Sequence, residues 1–141
     1  FAPEATPQEF AGDFSETAGY EAGKRIAQAA DRPQAVFAAN DMMALGCLYA
    51  FAQAGVHVPS DVALAGFDDI PLARFVHPSL TTMQVSIAEL GDMAMTRLMQ
   101  LMDSKSTEGA GDKQTLVPKL IVRDSSKSVA RRTQTHTPSG R

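Results

Sequence analysis

Tryptophan is absent from these 141 residues, tyrosine occurs twice and cysteine once. The single Cys47 rules out an internal disulfide framework and permits a reducing compartment. Its surroundings, LGCLYAF, read as helix interior, so a buried, inert thiol is expected there. No apolar run approaches the roughly 18 residues that a membrane-spanning helix needs. The opening FAPEATPQEF has neither a basic start nor an apolar segment, so no signal peptide is expected. A first residue of Phe rather than Met is what a piece of a longer chain would show. His57, His77 and His136 fall in three separate predicted loops without metal-ligand spacing, so they are expected to be exposed and no metal is expected. Ser15, Ser60 and Ser79 lack a nucleophile-elbow context. The GAG at 109–111 lies in a polar loop and not between strand and helix, so it is no dinucleotide fingerprint. No helix-turn-helix or zinc-finger pattern is present. These gaps leave no candidate for catalysis and call for no cofactor.

What is present is an ordinary globular composition, 44% hydrophobic and 21% charged, with the charge unevenly spread. Residues 105–141 carry eight Lys and Arg against three Asp and Glu, whereas residues 1–104 carry five against thirteen. The larger part is thus a poor surface for nucleic acid, because affinity for phosphate backbones rests on clustered Lys and Arg. The stretch RDSSKSVARRTQTHTPSGR is basic, rich in Ser and Thr, and reads as a solvated, disordered tail.

Strands and helices alternate along the chain. Asp13 and Ser15 are cap candidates for a helix running to about Ala30, with Gly19 and Gly23 spaced for close approach to a neighbour. Pro33 ends it, and AVFAA reads as a short strand buried on both faces. DMMALGCLYAFAQAG is an almost wholly apolar helix closed by Gly55. VALAGF is a second buried strand, DDIPLARFVHPS a loop with one short helical turn, and LTTMQV a weaker strand. SIAELGDMAMTRLMQLMDS is an amphipathic helix, KSTEGAGDKQT a polar loop, and LVPKLIVR a last strand that Pro118 starts or places at an edge. The seven methionines fall mainly on two helices at helical spacing, which means core or interface. The order predicts an α/β fold, a parallel sheet with flanking helices.

In such sheets ligands bind outside the carboxyl ends of the strands. Asn40 and Asp41 follow the first strand, and Asp68 and Asp69 follow the second, so Asn40 and Asp68 should share one rim. An amide offers a donor and acceptors and a carboxylate offers acceptors, which suits a sugar with several hydroxyls or a base with ring N–H groups. Asp41 reads better as the cap of the helix behind it, Asn40 equally as cap or ligand contact, and Asp69 as turn or cap chemistry.

The blocks GDFSETAGYEAG, RPQAVFAANDMMALGCLYAFAQAGVHVPSDVALAGFDDIPLARFVHPSLTTMQ and LVPKLIVRDSS together resemble the C-terminal part of the LacI/GalR family of bacterial transcription regulators, over residues 10–126. The resemblance implies a type I periplasmic-binding-protein-like fold with an incomplete C-terminal subdomain over residues 1–126, and composition makes 127–141 a disordered basic tail. It implies a cytoplasmic homodimer that closes on a small effector, a sugar first and a nucleobase or nucleoside next. It also implies operator DNA contacts made only through a domain absent from this chain, and no membrane partner. Carried over by position, Asn40 and Asp68 are effector contacts and Phe14 is an aromatic wall. Asp41 is the helix-start partner of Asn40. Gln84 is a further polar contact, while Val85 is apolar where some members place one. Leu45 and Leu48, with the segment at Val76, match the dimer surface. The helix at 87–102 would pack on a first subdomain that is missing here, so a marginally stable or self-associating chain is expected. A periplasmic sugar-binding transport protein of the same fold is the alternative; a polar outer face on helix 41–54 would favour it, and that helix is apolar. An acid–base enzyme using Asp68 and Asp69 is disfavoured because strand alternation points neighbours apart.

Overall fold

The computed structural model describes residues 7–103 and 113–127, which form four strands, three α-helices and two 3-10 turns. Most of the expected tail, His136 and the GAG at 109–111 lie wholly or largely outside the described residues.

Helix α1 (Glu16–Gln28) starts where Ser15 Oγ accepts the N–H of Ala18, and Asp13 Oδ1 in turn accepts from both the N–H and the hydroxyl of Ser15. Glu16 in its first turn and Arg25 in its last suit the helix dipole. After β1 (Ala35–Phe37) comes helix α2 (Asp41–Gln53). Its end is closed by Gly55 at φ 69°, the left-handed conformation that glycine adopts without a steric penalty.

The two helices pack tightly, as the spacing of Gly19 and Gly23 predicts. A methyl group on Gly19 would strike the Met43 backbone, and one on Gly46 would strike the Glu16 carbonyl. Cys47 sits in this seam with its thiol donating to the Gly19 carbonyl at 3.0 Å. Burial pushes the thiol pKa up to about 11, so it stays protonated and inert at neutral pH, as expected.

Strands β1, β2 (Ala63–Asp68) and β3 (Thr81–Gln84) run parallel, and β4 (Lys119–Ile121) closes one edge antiparallel to β3, just after Pro118. The core lies between the α1–α2 pair and one sheet face, where Ile26, Ala44, Cys47, Phe51, Val62, Leu64 and Leu80 are buried together.

Two expectations are corrected here. The strands are not covered on both faces. Ala35 and Phe37 of β1 are exposed, as is Leu120 of β4. Both α1 and α2 serve the same face; on the other, Thr81 is buried while Ala65 and Phe67 of β2 are only partly so. Residues 123–126, read with the basic tail, are instead ordered, with Ser125 fully buried. Its hydroxyl donates to the Leu64 carbonyl at 2.6 Å and accepts the Thr81 N–H at 2.8 Å, so one short side chain bridges β2 and β3. The sequence gives no apolar signal for this, because the attachment is made by hydroxyls and backbone.

Helix α3 (Ile87–Asp103) has the amphipathic pattern expected of it, yet contributes no buried residue. Ile87, Leu90, Met95, Leu98, Met99 and Met102 are all exposed. This agrees with the expectation that its apolar face lacks a partner sheet.

Candidate effector-binding rim

The parallel register brings the predicted site residues to the same end of the sheet. Phe37 pairs with Ala65, so the chain leaving β1 reaches Asn40 on the same carboxyl-end side as Asp68, the last residue of β2. Asp68 in turn pairs with Gln84. Neighbouring strands are spaced by about 4.8 Å, so the carboxyl ends of β1, β2 and β3 span about 10 Å along one rim. Phe14 joins them through Asn40, whose Nδ2 donates to the Phe14 carbonyl at 2.9 Å.

Asn40, not Asp41, is the N-cap of α2. Its Oδ1 accepts the Met43 N–H at 2.9 Å, and its extended backbone (φ −150°) is that of a cap. This corrects the assignment of the cap to Asp41, which is the first helical residue and fully buried. Its carboxylate accepts the Thr82 hydroxyl at 2.6 Å and the Ile70 N–H at 2.9 Å. Thr82 also accepts the Asp69 N–H at 3.3 Å. Asp41 therefore ties the start of α2 to β3 and to the loop after β2. Gly66 makes room for it, since a methyl group there would strike Asp41 Oδ1.

Asp69 is also corrected. It caps nothing; its side chain is 3% exposed and accepts from Arg123 Nη2 at 2.6 Å and from Gln84 Nε2 at 2.8 Å. Arg123 Nη1 donates to the Leu80 carbonyl at 2.8 Å. Gln84 is thus held by Asp69, with its amide oxygen turned to no partner among the described residues.

Asp68 differs from both neighbouring acids. Among the described residues its carboxylate accepts no hydrogen bond. Partial burial, and then the nearby charge of Asp41, push its pKa above the usual carboxylate value of 3.8. A polar group in that position is one that an incoming donor would satisfy.

The rim is also where backbone strain collects. Among the described residues, the non-glycine positions with positive φ are Phe14 (67°), Asp68 (115°) and Asp69 (56°). Each costs on the order of 1–3 kcal/mol and persists because the surroundings fix it. The Phe14 ring is 63% exposed and so is free to meet a ligand.

A separate, largely apolar groove of ≈ 430 Å³ runs between α1 and α2. It is lined by Thr17, Tyr20, Met42, Leu45 and Tyr49. Tyr20 and Tyr49 lie 5.7 Å apart and are bridged by Gln53, which accepts from one hydroxyl and donates to the other. Leu45 faces this groove, whereas Leu48 and Val76 spend part of their surface against the core.

Sequence reasoning found the rim residues but missed the polar supports beneath them, Thr82, Arg123 and Ser125. The run LTTMQ held the available signal: two hydroxyls inside a strand that must point inward on at least one face.

Comparison with known proteins agrees with the fold. A family described as the periplasmic binding protein-like domain matches residues 3–126. The HTH-type transcriptional repressor PurR of Mannheimia succiniciproducens is 37% identical over 123 residues, covering 86% of this chain and 36% of that protein. The ribose operon repressor of Escherichia coli K12 is 44% identical over 91 residues, 64% of this chain and 28% of that protein. The crystal structure of a LacI family transcriptional regulator from Arthrobacter sp. FB24, in complex with lactose, superposes with a TM-score of 0.72 at 32% identity, covering 82% of this chain and 42% of that one. The chain therefore spans about a third of the length of the curated relatives it matches. It belongs to the periplasmic binding protein-like domain family, in the form carried by LacI/GalR-type regulators.

Proposed function

We propose that this chain is the effector-binding and dimerisation portion of a LacI/GalR-type transcriptional regulator. The observation that carries the reading is the rim of Asn40, Asp68 and Gln84 at the carboxyl ends of the parallel strands, with Phe14 beside it and the Asp68 carboxylate accepting no hydrogen bond among the described residues. A carboxylate acceptor, an amide oxygen and an exposed ring along one rim suit a small molecule with several hydroxyls or ring N–H groups. Similar regulators are solved with lactose, glucose and sucrose bound, which supports a sugar as the first class to test, with a nucleobase or nucleoside next. The role is binding, not catalysis: the relatives are repressors, and the effector acts by favouring one arrangement of the whole regulator. The proposed setting is a cytoplasmic homodimer that reaches operator DNA through a domain outside these residues. The apolar helix groove around Leu45, with Leu48 and Val76 only partly buried against the core, supports a self-complementary contact.

Isothermal titration of D-ribose, D-glucose, lactose, sucrose and guanosine against the chain tests the reading, with Asp68→Asn as the paired variant. Binding of one of these that Asp68→Asn weakens on the order of tenfold, the loss of a charged hydrogen bond, is the expected result. Binding that ignores Asp68, or a chain that binds none of them, counts against it.

A further inference from the structure

Asn40 stands where a ligand contact is expected, yet both ends of its amide are engaged within the protein. Oδ1 accepts the Met43 N–H and Nδ2 donates to the Phe14 carbonyl, each at 2.9 Å. Phe14 is held at φ 67°, a conformation that bulky residues rarely adopt, and with its ring 63% exposed side-chain packing does not hold it there. What holds it is polar and comes from two sides. Within the turn, Asp13 Oδ1 accepts both the N–H and hydroxyl of Ser15, and Ser15 caps α1. From across the fold, the Asn40 amide seizes the carbonyl of Phe14 itself. One side chain thereby joins the starts of α1 and α2, which the glycine contacts at Gly19 and Gly46 already press together.

We infer that Asn40 is a positioning residue that acts through Phe14: it caps α2 with its oxygen and, with its nitrogen, fixes the Phe14 ring as one wall of the effector site. This rests on the rim being the effector site. The chemistry also explains why the cap is asparagine. Aspartate caps a helix as well as asparagine does, but it has no N–H to give to a carbonyl. Serine caps well too and is too short to carry a second group outward.

Asn40→Asp separates the two jobs, because it keeps the cap and removes the clamp. It is combined with Phe14→Ala in a double-mutant cycle, with affinity for the tightest binder among ribose, glucose, lactose, sucrose and guanosine measured on the full chain. The expected result is that Asn40→Asp costs on the order of tenfold in affinity when Phe14 is present and almost nothing when it is alanine. Equal losses in both backgrounds would mean that Asn40 touches the ligand itself, and would overturn the inference while leaving the effector site intact. Indifference of binding to Phe14→Ala and to Asp68→Asn together would remove the effector reading of this rim, and the inference with it. Fluorine NMR of 4-fluorophenylalanine at position 14 gives a readout without ligand. A resonance displaced from the free amino acid value should collapse towards it in Asn40→Asp and persist in Asn40→Gln only if the longer amide still reaches; a resonance unmoved by Asn40→Asp overturns the proposal. A helical circular dichroism spectrum with a retained melt shows that the variant folds.

Discussion

Arg123 and Asp69 are 54 residues apart in sequence and 2.6 Å apart in space, the cation 15% and the carboxylate 3% exposed. Their ion pair fastens the segment after β4 to the loop that follows β2, directly beside Asp68. A buried pair of this kind adds little relative to a well-packed apolar pair, but breaking it leaves a charge stranded.

Arg123→Ala is therefore expected to destabilise the chain by about 3–5 kcal/mol, because Asp69 loses its partner in a buried setting. Arg123→Lys should recover part of the loss. It restores the charge but not the fork that reaches Asp69 and the Leu80 carbonyl together. Urea denaturation reads both, as a lower midpoint at unchanged slope.

The second prediction concerns Asp41. Asp41→Ala leaves the Thr82 hydroxyl and the Ile70 N–H without their acceptor and opens a void beneath Gly66. A loss of about 1–3 kcal/mol per stranded group is expected. Thr82→Val should cost less, since it removes one donor to Asp41 and one weak acceptor for Asp69. A thermal melt of the two variants that ranks them the other way would contradict the role of Asp41 as the hub.

Asp68 gives a pH signature of its own sign. Its folded pKa lies above the unfolded value of 3.8, so its contribution to stability is present in full below that pH. It is lost as pH rises through the folded value. Asp68→Asn should accordingly raise the melting temperature near neutral pH, and the gain should vanish in acid. The same substitution weakens ligand binding, a trade common at functional sites. Asp13, Asp61 and Asp124 shift the other way, held down first by bonds to Ser15, to the His57 backbone and to Lys127 respectively. Their contribution is present above 3.8 and fades as pH falls through their folded values.

Leu45→Glu tests the helix groove. In a dimer built on α2, a carboxylate placed beside Met42 and Tyr49 meets an apolar partner surface, and sedimentation should show the dimer split into monomers. A folded monomer indifferent to the change would shift the weight to the transport-protein alternative.

The sequence by itself determined the elements and the rim. Short apolar strands, helix caps and the breaks at Pro33 and Gly55 are local signals, so Ser15 and Gly55 were legible where they act. The parallel order then forces strand ends to one side, which is how Asn40 and Asp68 were assigned to one rim, while Gln84 entered only through the family resemblance. What only the tertiary structure decided is what each polar side chain does there. Asn40 against Asp41 as cap differs by one residue, and local propensity favours both types equally. Asp41 is buried because Thr82 and Ile70 come to it from 41 and 29 residues away. Arg123 and Ser125 look like a solvated tail until the chain returns them to β2 and β3. Coverage of the sheet was likewise undecided: a continuous apolar strand records that both faces can be buried, and only the placement of α1 and α2 on one face shows which of them is.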